Sequence, residues 1–66
     1  MSAPEYLLSP YIRAYEVGKK AREKNLIRVS PYYDEIAIIN GQRVDITDKL
    51  SKAWLEGFDG KKLSVT

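Results

Sequence analysis

The sequence predicts an α+β fold, in which two helices flank a β-hairpin within a single mini-domain. Two stretches repeat apolar or small residues at steps of three and four, which is the pattern of an amphipathic helix. Between them, Asn40-Gly41 separates two β-prone runs, and Asn-Gly is the strongest short-range signal for a hairpin turn. A chain of 66 residues has room for one domain at most.

The predicted domain covers residues 10–62. We expect residues 1–9 to form a flexible N-terminal segment, because chain ends fray unless they are tied to the core. Residues 63–66 are expected to form a short tail. The sequence contains no internal repeat and no low-complexity segment, so nothing argues for a second unit.

The first helix is expected to begin at Ser9-Pro10 and to run to about Lys24. Serine can cap the free N–H groups, and proline suits the first helical position. Asn25 tolerates the left-handed conformation that ends many helices. The apolar residues expected to face the core are Tyr11, Ala14, Tyr15, Gly18 and Ala21, widened by Ile12 and Val17.

A brief extended segment, Leu26–Val29, is expected to follow, and the hairpin is expected between Glu35 and Thr47. The two-residue turn fixes the register, with Ile39 opposite Gln42, Ala37 opposite Val44, and Glu35 opposite Ile46. Alternation assigns the core face to Ala37, Ile39, Val44 and Ile46. The other face carries Ile36 and Ile38, so the first strand is apolar on both sides.

The second helix is expected to begin at Thr47-Asp48 and to end at Asp59-Gly60. A threonine hydroxyl can cap the helix, an acid suits its first turn, and glycine fits a left-handed C-terminal cap. Trp54 and Phe58 are the only Trp and Phe of the chain. Gly57 would let another backbone pack close. The predicted core consists of Trp54, Phe58, Tyr15, Val44 and Ile46.

The composition argues against catalysis and against a metal or cofactor site. The chain has no Cys and no His, so it lacks disulfides, thiolate ligands and the commonest general base. We interpret Asp45 and Asp48 as a turn acid and a helix-start acid. No apolar run approaches the roughly 18 residues of a membrane span, and no signal peptide is recognisable. We therefore expect a non-enzymatic, cytoplasmic protein without membrane contact.

Positive charge is concentrated after the middle of the first helix, although the net charge is only +2. Five basic residues fall within ten positions, with Glu23 as the only acid among them: Lys19, Lys20, Arg22, Lys24 and Arg28. This asymmetry indicates an anionic partner, or a solvated helix face whose cations suit the helix dipole. Glu16 and Lys20 stand one turn apart in the order that favours an ion pair.

Three pieces of the sequence occur in a characteristic order. A helix with small residues at 14–21 is followed by Ser30-Pro31-Tyr32, and then by a helix containing Trp-Leu-Glu-Gly-Phe at 54–58. This order resembles the ribosome modulation factor family, over residues 11–33 and 48–60. The chain departs from the family pattern at Ser30, where the family has Cys, and at Ser51, where it usually has Arg. The hairpin is an insertion between the two helices.

The resemblance implies a regulator of translation that binds ribosomal RNA or ribosomes. The residues expected to carry this binding are Arg13, Lys19, Lys20, Arg22, Lys24, Arg28 and Tyr32. The cations would contact phosphates and make the affinity salt-sensitive. Tyr32 or Tyr33 would stack on an unpaired base, or both would pack in the core instead.

The hairpin supports an alternative function. A small virus-encoded or host-directed inhibitor would dock on a host protein through Ile36, Ile38 and Arg43, by strand addition or apolar contact. A lone two-stranded hairpin is marginally stable, so it must pack on the helices or pair with another chain. A homodimer is therefore a further partner that the sequence allows.

Overall fold

The computed structural model describes residues 10–64. Its elements are, in chain order, α1 (Pro10–Glu23), β1 (Ile36–Ile39), β2 (Gln42–Asp45) and α2 (Thr47–Asp59). The strands form one two-stranded sheet, so the predicted α+β fold with a hairpin between two helices is confirmed. The proposed Ser9 cap and the N-terminal segment 1–9 lie outside the described residues. Residues 26–29, expected to form a brief extended segment, contain a tight turn instead, in which the Val29 N–H bonds to the Ile27 carbonyl oxygen at 2.9 Å.

Both helices end with the same hydrogen-bond arrangement. After α1, the N–H of Asn25 bonds to the Arg22 carbonyl oxygen and the N–H of Leu26 bonds to that of Ala21, each at 3.0 Å. Asn25 is left-handed, with φ 57°, and Gly60 ends α2 in the same conformation. This pair of bonds is the Schellman motif, and the two predicted helix ends are confirmed.

The two helices pack backbone against backbone at two glycines. A Cβ atom on Gly18 would lie 2.0 Å from the Trp54 carbonyl oxygen, and one on Gly57 would lie 2.0 Å from the Tyr15 carbonyl oxygen. Real Cβ atoms do not approach oxygen so closely. The spacing between α1 and α2 is therefore set by main-chain atoms, as the glycine in α2 led us to expect.

The core lies between the helices and is built around α2. Its buried apolar residues are Tyr11, Ala14, Ala21, Ile46, Leu50, Ala53, Trp54 and Phe58. The rings of Trp54 and Phe58 stack with centroids 5.2 Å apart, which is a favourable aromatic geometry. Of the other predicted core residues, Tyr15 and Val44 are only half-buried. Leu63, expected in the tail, packs against the edge of the core.

Two residues expected to widen the core face of α1 do not do so. Ile12 is 39% exposed and Val17 is 47% exposed. The glycines bring the backbones of α1 and α2 together, so the two helices meet over a narrow surface. Only one line of α1 residues is buried there, namely Tyr11, Ala14, Gly18 and Ala21. The prediction for Ile12 and Val17 was wrong for this reason.

The hairpin has the predicted register. Ile39 pairs with Gln42 and Ala37 pairs with Val44, and both turn residues have positive φ. Ile39 was expected on the core face but is 44% exposed. It flanks the turn, so it lies at the tip of the hairpin, beyond the part of this face that packs against the core through residues 37, 44 and 46.

The start of α2 differs from the prediction in its cap. The Thr47 hydroxyl accepts a hydrogen bond from the N–H of Glu35 at 2.8 Å, and no side chain caps the helix. The N–H of Thr47 donates to Asp45 Oδ1 at 2.9 Å, which lowers the pKa of the Asp45 carboxyl group. The hydroxyl closes the base of the hairpin instead of capping the helix, while Asp48 lies in the first turn as expected.

Candidate nucleic-acid interface

The cations of α1, together with Lys24 directly after it, fall on two different flanks of the helix. With 3.6 residues per turn, Arg13, Lys20 and Lys24 share one flank, and Lys19 and Arg22 lie on the other. The pockets of the structure support this division. Lys20 and Lys24 line one pocket, Arg13 lines a second, and Val17, on the same flank, lines both. The prediction that these cations form one cluster was therefore wrong, although the helical spacing of the residues already separates the two flanks.

The flank with Lys20 and Lys24 borders a groove of about 600 Å³, here called the basic groove. Its apolar lining consists of Val17, Ala21, Leu26, Ile27, Val29, Pro31 and Trp54. The groove forms because the chain turns back at Asn25 and then runs beside α1. Ile27 and Val29 are 78% and 63% exposed, so a large apolar surface lies next to two lysines. No pattern in the sequence indicated this groove.

A smaller pocket of about 320 Å³ continues along the same flank, toward the start of α1. Arg13, Tyr32 and Glu35 contribute its polar lining. Burial raises the pKa of the Tyr32 phenol, the charge of Glu35 raises it further, and Arg13 opposes the shift. Tyr32 also packs against the core, so only part of its ring faces the pocket.

Tyr33 differs from Tyr32 in its environment. Its side chain is 78% exposed, whereas Tyr32 is half-buried. An exposed ring offers a full face for stacking on an unpaired base. Of the two tyrosines that the sequence suggested for stacking, Tyr33 has the more accessible ring.

The opposite flank of α1 is occupied by contacts within the protein. Lys19 Nζ lies 5.6 Å from the centre of the Tyr15 ring and 3.9 Å from Glu16 Oε1. The Arg22 guanidinium lies 5.6 Å from the centre of the Phe58 ring. The expected Glu16–Lys20 ion pair is therefore wrong, because the Tyr15 ring holds Lys19 beside Glu16 while Lys20 lines the basic groove.

Arg28 is bound to the end of α2. Its Nε and Nη2 atoms donate to Asp59 Oδ1 at 2.9 Å and Oδ2 at 2.6 Å, a bidentate geometry that combines charge with two hydrogen bonds. These bonds lower the pKa of the Asp59 carboxyl group and raise that of Arg28. Arg28 thus ties the segment after α1 to α2, and its charge is already compensated.

The residues of the alternative site also lie together. Ile36 and Ile38 are 45% and 67% exposed. Arg43 is exposed and stands directly opposite Ile38 in the sheet. The three side chains form one continuous strip on the outer face of the hairpin, because residues two apart on a strand and directly opposite on its partner share a face.

The described part of the chain contains neither a cluster of metal ligands nor a membrane-spanning helix. Among residues 10–64, no group of three or more acidic, Cys or His side chains is placed to hold a metal ion. No helix in the same range is long and apolar enough to cross a membrane. No family model, curated protein or solved structure matches the chain, so the resemblance to the ribosome modulation factor family remains a prediction.

Proposed function

We propose that this protein regulates translation by binding ribosomal RNA or ribosomes through the basic groove, without catalysis and in the cytoplasm. One observation carries the proposal: Arg13, Lys20 and Lys24 share a flank of α1, and no carboxylate in residues 10–64 lies within ion-pair distance of them. Cations without an internal partner can neutralise phosphates at no cost in broken ion pairs.

The spacing of these cations suits a nucleic-acid strand. Lys20 and Lys24 are one helical turn apart, and Arg13 lies about two turns further toward the start of α1. A strand that follows this flank would meet three positive charges in succession. Arg28, Lys19 and Arg22 contribute less, because the first is paired with Asp59 and the other two contact aromatic rings.

The groove beside the cations suits a base that is turned out of its stack. Sequence-specific RNA binding targets unpaired bases, which pack on aromatic or apolar side chains. A volume of about 600 Å³ is within the range of small-molecule sites. Tyr33, with its exposed ring, provides a second surface for stacking.

The test is the salt dependence of RNA binding. For a single strand, three neutralised phosphates predict a slope of log K against log salt of about −2. We expect purified protein to comigrate with ribosomes on sucrose gradients at low salt and to dissociate at high salt. A variant with Arg13, Lys20 and Lys24 changed to Gln should lose binding and most of this slope.

A matched control removes three positive charges elsewhere. Lys49, Lys52 and Lys62 line neither the groove nor the smaller pocket, so their replacement by Gln should leave most of the affinity and the slope intact. Equal loss in both variants would mean that binding follows net charge and not the groove. Failure of the wild-type protein to sediment with ribosomes at any salt concentration would reject the proposal.

A second candidate function rests on the outer strip of Ile36, Ile38 and Arg43. Two adjacent exposed isoleucines beside an arginine suit a protein-binding surface, where apolar side chains meet a polar rim. In this role the protein is an inhibitor that docks on a host protein through the hairpin. Affinity purification at high salt distinguishes the candidates, because apolar contacts persist there while phosphate contacts weaken. A captured protein that is released by Ile38→Lys would favour the inhibitor.

A further inference from the structure

The outer edge of β1 carries free backbone hydrogen-bonding groups. In a hairpin with a two-residue turn, the residues that flank the turn exchange hydrogen bonds, and every second pair does so. These pairs are Ile39 with Gln42 and Ala37 with Val44, and the bond from the Ile46 N–H to the Glu35 carbonyl oxygen at 2.9 Å continues the series. The N–H and C=O groups of Ile36 and Ile38 therefore point away from β2.

Nothing in the described part of the chain covers this edge. No backbone or side-chain group of residues 10–64 bonds to the outward groups of Ile36 or Ile38. The edge also lacks the usual protection, because β1 contains no charge, no proline and no bulge. The other edge of the sheet, on β2, carries Arg43 and Asp45.

We propose that β1 pairs with β1 of a second copy, giving a twofold-symmetric dimer with a four-stranded antiparallel sheet. A second copy of the chain matches this edge, because in a twofold-symmetric pair the outward N–H and C=O groups of Ile36 and Ile38 in one copy bond to the same groups in the other. An uncharged strand meets no charge repulsion from its own copy. Four strands with an apolar face also meet the usual requirement for a stable sheet, which two strands do not.

The free groups select one register, with Ala37 opposite Ala37 of the second copy. Ile36 of each copy then exchanges both hydrogen bonds with Ile38 of the other, giving four bonds in all. In the chosen register the twofold axis passes between the two Ala37 residues. An axis at Ile36 would pair Ile38 of each copy with Asp34 of the other, and an axis at Ile38 would pair Ile36 with Asn40. Both Asp34 and Asn40 are left-handed, with φ 51°, and cannot continue a strand. The chosen register gathers four isoleucines on one face.

The first test blocks one backbone donor at a time. A 66-residue chain without Cys can be synthesised with an N-methyl group on Ile38, which removes an outward N–H and leaves the ladder with β2 intact. N-methyl Arg43 is the matched control, since Arg43 stands opposite Ile38 and its N–H points to the other edge. Sedimentation equilibrium from about 1 μM to about 1 mM measures the dimer dissociation constant.

We expect the wild-type chain to dimerise within this range. N-methyl Ile38 should raise the dissociation constant at least about 30-fold, because the dimer loses two hydrogen bonds, and N-methyl Arg43 should leave it within about threefold. A wild-type chain that stays monomeric at the highest concentration would overturn the proposal. An effect of N-methyl Arg43 equal to or larger than that of N-methyl Ile38 would overturn it as well.

A second test holds even if methylation disturbs folding. In the proposed register the two Ala37 residues form a pair with Cα atoms about 4.5 Å apart, which lies within disulfide range. Ala37→Cys should oxidise rapidly to a covalent dimer. Val44→Cys is the control, because the two Val44 residues would lie about 14 Å apart, three strand spacings. Crosslinking at Val44 and not at Ala37 would place the interface on β2 and reject the proposal.

Discussion

The hydroxyl of Ser30 donates a hydrogen bond to the hydroxyl of Ser51 at 2.8 Å. These are the two positions at which the predicted resemblance to the ribosome modulation factor family is broken. They lie 21 residues apart in sequence and are partly buried. The Ser30 oxygen also accepts the N–H of Tyr32 at 3.3 Å. The two departures thus form one small polar contact between α2 and the chain that leads into the hairpin.

This contact predicts energetic coupling between the two serines. A hydrogen bond between neutral groups contributes about 1 kcal/mol, so Ser51→Ala should destabilise the domain by about that amount. Ser30→Ala should cost more, because it also removes the acceptor of the Tyr32 N–H. The double variant should cost less than the sum, because either change alone breaks the same bond. Urea unfolding of the three variants gives the coupling energy. Simple additivity within about 0.3 kcal/mol would show that the bond contributes nothing.

Truncation of Trp54 should unfold the domain or nearly so. Its side chain is 3% exposed and stacks on Phe58. Replacing a buried Trp by Ala costs about 3–5 kcal/mol, which is most of the stability that a domain of this size attains. Thermal melts followed by circular dichroism measure the effect. Tyr33→Ala is the control, since that ring is exposed, and equal melting of Trp54→Ala and wild type would contradict the core assignment.

Alanine at Gly18 should force the helices apart. Its Cβ would collide with the Trp54 carbonyl oxygen, and backbone atoms cannot move aside as a flexible side chain does. At an ordinary position inside a helix, Gly→Ala stabilises by up to about 1 kcal/mol. At Gly18 we expect a net loss of stability instead, because the overpacking costs about 1–3 kcal/mol or more. Gly60→Ala is the comparison, because a Cβ there meets open space and only the positive φ is unfavourable. If urea unfolding finds Gly60→Ala the more damaging change, the helices do not meet at Gly18.

Acid should remove the stabilisation from the Arg28–Asp59 pair. The hydrogen bonds from Arg28 hold the pKa of Asp59 below its ordinary value of 3.8. A carboxyl group with a lowered folded pKa stabilises the fold above its unfolded pKa and loses this effect as the pH falls through the folded value. Wild type should therefore exceed Asp59→Asn in urea midpoint at pH 6, and the difference should shrink below about pH 4.

The comparison with Asp59→Asn isolates this pair from other acids. The pKa values of Asp45 and Glu56 are also lowered, by hydrogen bonds from Thr47 and Ser64, so both proteins should lose stability in acid. Only the difference between them reports on Asp59. A difference that stays constant to pH 2, or grows, would exclude a contribution from the ion pair.

The features that the sequence predicted well are set by nearby residues. Asn40-Gly41 fixes the hairpin register, and Asn25 and Gly60 end the helices, because each acts through backbone angles within a few residues. The features it missed depend on distant partners. Nothing near Arg28 indicates Asp59, which is 31 residues away. The predicted register brings Glu35 close to Thr47, but it does not show that the Glu35 N–H donates to the Thr47 hydroxyl.

In the candidate site, too, the features set by local spacing were predictable and those set by distant residues were not. Helical spacing alone separates Lys20 and Lys24 from Lys19, so the two flanks were predictable from the sequence. The groove beside Lys20 was not, because it depends on where the chain runs after Asn25. The exposure of Ile39 depends on how far the hairpin reaches past the core, and alternation along a strand gives only the face on which a residue lies.

Because hydrogen bonds close the base of the hairpin, the hairpin can be exchanged for another one. The Ile46 N–H binds the Glu35 carbonyl oxygen, and the Thr47 hydroxyl binds the Glu35 N–H, so the two ends are held side by side at the spacing of paired strands. A different hairpin can therefore stand in this place while the glycine-to-backbone contact of the helices stays as it is, provided that it keeps residues like Ala37 and Val44 where they pack against the core. A chain built in this way can acquire a new partner by changing the outward-facing residues and the tip of the hairpin, without repacking its core.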